Sequence, residues 1–390
     1  MTRAGFGWCR LADGRALLIP LDSPAAGVGA LSLYRPQNLG PRILRSLLGL
    51  GLRAGLARHL LRETSAAVER WSAPDGDDAT FLLDYLRDAC GGADVVFGIH
   101  LGAPGPVRKP VVAIMSRRGR ALGFAKIGWN AQTVALVENE KASLEALASR
   151  SLALGRLPRI SHFARWSDRC VLVTDPLPLR DARGWERRLT PLHVEFLSEV
   201  AAAARVTGSI GESAFLSRLR ERRGRLDGSI PADHARILDA AAGQVASSLD
   251  AVDLPWVWRL GDFTPWNLGI ESRPPRVSCI DLEYADPRSI PGWDMFHYLR
   301  AAVGRGGDRA DIASMAWRDG QAYFEALGID SRLVPALYAA YLIDLYTLWA
   351  ELWAGYDLPP SPLAADTLAR LAGSLEQAAR RQRTERARVR

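Results

Sequence analysis

The spacing of apolar residues changes once along this chain, and that change limits the folds open to it. From Ala93 to about Thr174, the runs DVVFGIH, KPVVAIMS and ALGFAKIG are separated by turns rich in Gly, Pro and Arg. They have the length and β-branched content of two or three antiparallel strands. A helix is expected over AQTVALVENEKASLEALASRS, after which ISHFARW and RCVLVTDPLPL return to strand character. Beyond Pro178, apolar residues fall three and four positions apart in LTPLHVEFLSEVAAAA, ADHARILDAAAGQVASSL and PALYAAYLIDLYTLWAELWAG. That is the spacing of helices with one buried face. A small strand-rich lobe followed by a larger helical lobe makes an α+β protein, and a cleft between two such bodies suits a small molecule.

Three segments follow from this pattern: residues 1–92, a strand-rich part over 93–178, and a helical part over 179–390. The first contains the strand-like runs RALLIPL and ALSLYRP, an acidic turn SAPDGDD and the helix-like ATFLLDYLRDAC, and no chemical motif. Within it, residues 41–63 interleave Leu with Arg42, Arg45, Arg53, Arg58 and Arg62 at helical spacing. A basic amphipathic helix of this kind can lie on an anionic membrane. Gly49, Gly51 and Gly55 weaken it as an independent helix, so docking against the rest of the protein is the preferred reading, ahead of peripheral membrane contact.

A net charge of +7 raises the question of nucleic acid, and its distribution answers it. The stretch RRQRTERARVR at 380–390 holds six Arg and one Glu, five of the seven net charges, and the remaining body is close to neutral. Such a tail reads as a solvated, frayed helix end, and no nucleic-acid partner is expected. Cys9, Cys90, Cys170 and Cys279 show neither CxxC spacing nor a disulfide framework. No run of about 20 apolar residues suits a membrane span, and the amino-terminal stretch lacks the apolar run of a signal peptide. A cytoplasmic location is therefore expected. Nothing in the sequence fixes the oligomeric state.

The chemistry concentrates in two stretches. RLGDFTPWNLGI, residues 259–270, places Asp262 and Asn267 in a segment too crowded with Gly, Pro and Trp for an ordinary helix. PRVSCIDLEYADP then delivers Asp281 and Glu283 at the end of a strand-like run. Crowded carboxylates repel unless a cation joins them, and Mg²⁺ favours one or two carboxylates with phosphate oxygens over a full protein cage. Phosphoryl transfer needs a carboxylate facing the attacking hydroxyl, oxygen ligands for the metal and a cation on the nonreacting phosphates. Asp262, Asn267 with Asp281, and Lys126 in the strand GFAKIG supply these. Glu138, Glu140 and Glu145 in the next helix offer the lysine a counter-charge. Asp262 and Asn267 alone would read as turn or cap residues; Asp281 downstream favours function.

The paired stretches LGDFTPWN and IDLEYADPRSIPGWDMFHYL, in order behind a strand lysine, resemble the aminoglycoside phosphotransferase and choline kinase family over about residues 93–355. The resemblance implies a bilobal protein-kinase-like α+β fold with a small antiparallel-sheet N-lobe, a larger helical C-lobe and an extra N-terminal segment. It implies ATP and Mg²⁺ as cofactors and a small-molecule hydroxyl acceptor, a sugar, aminoglycoside or amino alcohol. By position, Asp262 would be the catalytic carboxylate, Asn267, Asp281 and Glu283 the metal-side residues, Lys126 the phosphate-binding lysine and Glu140 its helix partner. Asp294 would be an acid that ties the loops together. Gly98, Gly102 and Gly105 in FGIHLGAPGPVRKP are assigned to the nucleotide loop, although GxGxxG spacing is absent. Leu260 stands where the family has a histidine that braces the loop.

Leu260 and the irregular nucleotide loop also leave a second class open, a catalytically impaired kinase-like module that binds nucleotide or a partner. Asp344 and Glu351, seven positions apart on one helix face, could attract an amine. Trp256, Trp258, Trp266, Trp293, Trp349 and Trp353 either fill the core or line an acceptor pocket, and His297 reads as a packed or hydrogen-bonded histidine.

Overall fold

A computed structural model describes residues 5–11, 14–36, 39–56, 59, 61–63, 79–90, 92, 94–166, 168–177, 179, 188–203, 206–209, 214–249, 252–304, 311–353 and 364–376. The acidic turn at 72–78 and the arginine-rich stretch at 380–390 lie outside these residues. The chain divides into two compact units, one of Met1–Lys141 with Pro158–Leu177 and one of Ala142–Leu157 with Pro178–Arg390.

The first unit is built on one sheet. Its strands are β1 (Phe6–Arg10), β2 (Ala16–Pro20), β3 (Arg62–Glu63), β4 (Val95–Leu101), β5 (Pro110–Ser116), β6 (Ala121–Gly128), β8 (Ile160–Trp166) and β9 (Arg169–Thr174). They pair antiparallel throughout in the order β3-β1-β2-β4-β5-β6-β9-β8. The first 92 residues and the strand-rich part after them thus share a sheet, joined where β2 pairs with β4. The two-residue period of a strand sends alternate side chains to opposite faces, and β2 uses both faces. Ala16 and Leu18 join Phe97, Val112 and Val171 on one face, where Leu86 of α3 (Ala79–Ala89) also packs. Leu17 and Ile19 join the opposite face with Leu31 and with Leu52 of α2 (Leu39–Arg53).

The run ALSLYRP, expected as a strand, instead completes α1 (Pro24–Ala30) and a 3₁₀ turn at Leu31–Leu33. The cause is local. Ser23 caps the helix by accepting the Ala26 amide, and Pro24 supplies a preset backbone angle in the first turn. Ala26 and Ala30 of this helix pack against Ala113 and Met115.

Helix α4 (Ala131–Ala148) runs from the first unit into the second. Asn130 and Thr133 close its start: the Asn130 side chain accepts the Thr133 amide at 2.8 Å, and the Thr133 hydroxyl accepts the amides of Trp129 and Asn130.

The second unit contains α5 (Pro191–Ala202), α6 (Ala214–Arg225), α7 (Ala232–Leu249), α8 (Trp293–Val303), α9 (Ile312–Ala326) and α10 (Val334–Trp353). It also holds more strand than its helical periodicity suggests. Strands β10 (Val206–Ser209), β11 (Asp253–Arg259) and β14 (Asp286–Ser289) form one three-stranded sheet in the order β10-β11-β14. A second has the order β12-β13-β7, from Leu268–Ser272, Pro275–Cys279 and Gly155–Arg156. These strands are short, and their Pro, Trp and Gly content conceals the alternation that marks a longer strand.

Candidate active site

Asp262 sits in the turn after β11, where the sequence anchors the backbone on either side of it. Leu260 and Phe263 are buried, and the Phe263 ring lies against Phe196, His193 and Tyr298. Gly261 has φ +90°, and a Cβ there would fall 2.3 Å from the Tyr284 carbonyl oxygen, so the turn requires glycine. The backbone amides of Leu260 and Gly261 donate to the two carboxylate oxygens of Asp294, at 2.7 and 3.0 Å. Asp294 lies in the first turn of α8. Leu260 is thus a core side chain whose amide, rather than its side chain, is held by a neighbouring acid.

Burial pushes the Asp294 carboxyl up to about 6, against the opposing pull of the Leu260 and Gly261 amides. A carboxyl with a native pKa above its unfolded value holds its proton more tightly in the folded chain. Its contribution to stability is complete below the unfolded value of 3.8 and is lost as pH rises through about 6. The melting temperature of the wild type should therefore fall between pH 4 and pH 6.5, relative to Asp294→Asn, by a few degrees; parallel profiles for the two proteins would contradict this.

The turn then closes on Asp262 itself. The Asn267 side-chain amide donates to Asp262 Oδ2 at 2.8 Å and to the Asp262 backbone carbonyl at 3.1 Å. His297 Nε2 lies 3.3 Å from Asp262 Oδ1, and its Nδ1 lies 3.1 Å from the Tyr341 hydroxyl. The imidazole stacks on Trp293 with ring centroids 4.9 Å apart. An imidazole therefore reaches the Asp262 carboxylate from α8; the sequence reading of a packed or hydrogen-bonded histidine named no partner for His297.

The hairpin β12–β13 accounts for the proximity of the two motifs. Leu268 pairs with Cys279, and the Ile280 amide donates to the Asn267 carbonyl at 3.0 Å. Asn267 therefore lies across from Ile280, the residue before Asp281. Asp281 adopts φ +69°, a left-handed conformation that costs a non-glycine residue about 1–2 kcal/mol. Strain of this kind persists where surroundings enforce it, and it collects at functional sites. Leu282, fully buried, anchors the next position, and Asp281 and Glu283 each bring a carboxylate oxygen within 4.8 Å of the other. These two carboxylates are hard oxygen donors, which suit Mg²⁺ better than a softer ion.

In the first unit, Lys126 Nζ lies 2.5 Å from Glu140 Oε2, with both side chains largely buried. Glu138 is taken by Arg165 at 2.7 Å, so of these two glutamates it is Glu140 that answers the strand lysine. The loop from β4 to β5 is tied to the start of α4: the Trp129 indole donates to the Arg108 carbonyl at 2.5 Å and the Asn130 amide to the Pro106 carbonyl at 3.1 Å. Gly102 begins this loop, and a Cβ there would meet nothing closer than 3.8 Å. Gly98 is different. It lies within β4, where a Cβ would come 2.5 Å from the Ala30 Cβ, so the packing of α1 requires its missing side chain.

The acids considered for an amine-binding face are otherwise engaged. Asp344 is fully buried and accepts Arg222 Nη1 at 2.7 Å, the Trp293 indole at 3.0 Å and Arg259 Nη1. Glu351 accepts from Arg222 at 2.8 Å and Arg225 at 2.9 Å. Trp293 belongs to the core, with the Arg259 guanidinium 4.6 Å from its ring centroid.

No protein-family model and no curated protein sequence matches the chain. Solved structures do. An ethanolamine kinase from Plasmodium vivax superposes with a TM-score of 0.51 at 14% identity, covering 74% of this chain and 85% of its own. An aminoglycoside phosphotransferase from Streptomyces rimosus, determined with ADP and streptomycin, gives 0.45 at 18% identity over 68% and 98%. A thermostable mutant of another aminoglycoside phosphotransferase gives 0.49 at 13% identity over 76% and 99%. The ethanolamine kinase superposition gives this chain the α+β, protein-kinase-like fold.

Proposed function

We propose that the protein is an ATP- and Mg²⁺-dependent phosphotransferase that moves the γ-phosphoryl group to a hydroxyl of a small molecule, an amino alcohol or a sugar. The observation that supports this reading is the pairing of two motifs in the second unit: the β12–β13 register sets Asn267 across from Ile280, the residue before Asp281, while the Asn267 amide holds Asp262. Asn267 spends its donor side on Asp262, and its oxygen is the atom that would face a cation. Asp281 and Glu283 would bind the metal with it. A bound Mg²⁺ would supply charge neutralisation on the phosphate oxygens.

The chain's own residues then divide the remaining work. Asp262, held on one oxygen by Asn267 and approached on the other by His297, orients the acceptor hydroxyl and takes its proton as the oxygen attacks phosphorus and ADP departs. Lys126, held in place by Glu140, would bind nonreacting phosphates, and the tethered β4–β5 loop beginning at Gly102 would cover them. Acceptor-dependent ADP release against a panel of amino alcohols, amino sugars and neutral sugars tests the proposal. Release with at least one acceptor, lost in Asp262→Asn, is expected. ATP binding without release for any acceptor would instead favour a kinase-like module that does not turn over.

A further inference from the structure

Helix α2 presents an apolar face that nothing in the described chain covers. Leu39, Ile43, Leu44, Leu47 and Leu50 are 72%, 51%, 58%, 58% and 59% exposed, and Leu56, just past the helix, is 48% exposed. At 100° per residue, the five helical positions fall within one arc, and Leu48 and Leu52, on the other side of the helix, join the core of the first unit. Single exposed leucines are ordinary on protein surfaces, but a contiguous row of five on one helix marks an interaction site. The packing role expected from the sequence accounts only for the opposite face.

Charge identifies the occupant. From Ser23 to Arg62 the chain has six Arg and no Asp, Glu or Lys. Arg42 and Arg53 are exposed and flank the apolar arc on one side, and Arg45 is turned back to donate to the Leu31 carbonyl at 3.0 Å. A two-fold contact between copies would set this acid-free face against itself, with no carboxylate to offset the arginines. The helix is about 22 Å long, too short to span a bilayer, and no described helix is long and apolar enough to do so. An apolar stripe edged by arginine and anchored to a folded body on its other side is the form of a helix that lies in the plane of a membrane surface.

We infer that α2 docks the protein on anionic lipid bilayers, with Leu39, Ile43, Leu47 and Leu50 entering the acyl boundary and Arg42 and Arg53 meeting lipid phosphates. This surface is separate from the proposed active site and does not rest on it. The test is co-sedimentation of the full chain with vesicles of phosphatidylcholine alone and of phosphatidylcholine mixed with phosphatidylglycerol. Binding to the mixed vesicles should exceed binding to the neutral ones and should fall at high salt. The combined variant Ile43→Ser, Leu47→Ser, Leu50→Ser should lose at least about tenfold in partitioning, and its unchanged melting temperature would show that it remains folded. Arg42→Gln with Arg53→Gln should lose roughly fivefold for each arginine, on the anionic vesicles only. Equal failure to bind both vesicle types would overturn the inference. So would a lipid-free dimer that dissociates in the triple-serine variant, because a second copy would then be the occupant.

Discussion

Replacing Asp262 by asparagine is expected to lower acceptor-dependent ADP release by about 10²–10⁴-fold, the range for loss of a positioned proton acceptor. The substitution keeps the shape of the side chain and an oxygen that can still accept from Asn267 Nδ2, so the turn should persist. What disappears is the charge that draws a proton from the acceptor hydroxyl. Because that demand arises in the transition state, the loss should appear in kcat, with ATP affinity changed by no more than about threefold. Comparison of kcat and KM for the two proteins, with a thermal melt to confirm folding, reads this directly. An Asp262→Asn enzyme with wild-type kcat would remove the residue from the proposed chemistry.

The second large effect lies beneath the site. Asp344 is the shared counter-ion of Arg222 and Arg259 and also accepts the Trp293 indole, all in a fully buried setting. Burial pushes its carboxyl up, but the fields of Arg259 and Arg222 outweigh that and hold it below the usual aspartate range. Asp344→Asn keeps the volume and removes the charge. Arg259 would then retain the Tyr284 carbonyl and the more distant Asp286 at 3.9 Å, and Arg222 would retain Glu351. Breaking a buried pair from one side costs about 3–5 kcal/mol, because the remaining charge stays desolvated. Denaturant unfolding at neutral pH should show a loss of that size, and a loss below about 1 kcal/mol would mean that water or neighbouring acids replace Asp344. The disturbance should also reach the site, since Trp293 carries the stacked His297 and precedes Asp294, the acceptor of the turn amides before Asp262.

The contrast between these two residues shows what the sequence could and could not disclose. Asp262, Asn267 and Asp281 are legible because a five-residue spacing and a following acid-bearing turn are local features. The hairpin that joins them uses neighbouring segments, 268–272 and 275–279. The order of β4, β5, β6, the helix after them, β8 and β9 is legible for the same reason, as runs of six to eight residues keep a clear period. In sequence Asp344 suits an amine-attracting face and an ordinary amphipathic helix equally, because its partners come from 85 and 122 positions away and no periodicity announces a buried arginine. His297 reaches Asp262 across 35 positions through the turn of α8, and an apolar neighbourhood in sequence hid that contact. Gly98 matches a loop pattern in sequence, and the close approach of Ala30 there depends on a helix far away in the chain. The link of β2 to β4, which draws the first 92 residues into the sheet, likewise depends on pairing across a long separation.

Isothermal titration with ATP tests the central claim, that the turns bearing Asp262, Asn267 and Asp281 hold a metal nucleotide. The account predicts binding in the presence of Mg²⁺ that is lost in EDTA and weakened at least about tenfold by Asp281→Asn. ATP affinity that is the same with Mg²⁺ and with EDTA, and indifferent to Asp281→Asn, would contradict it.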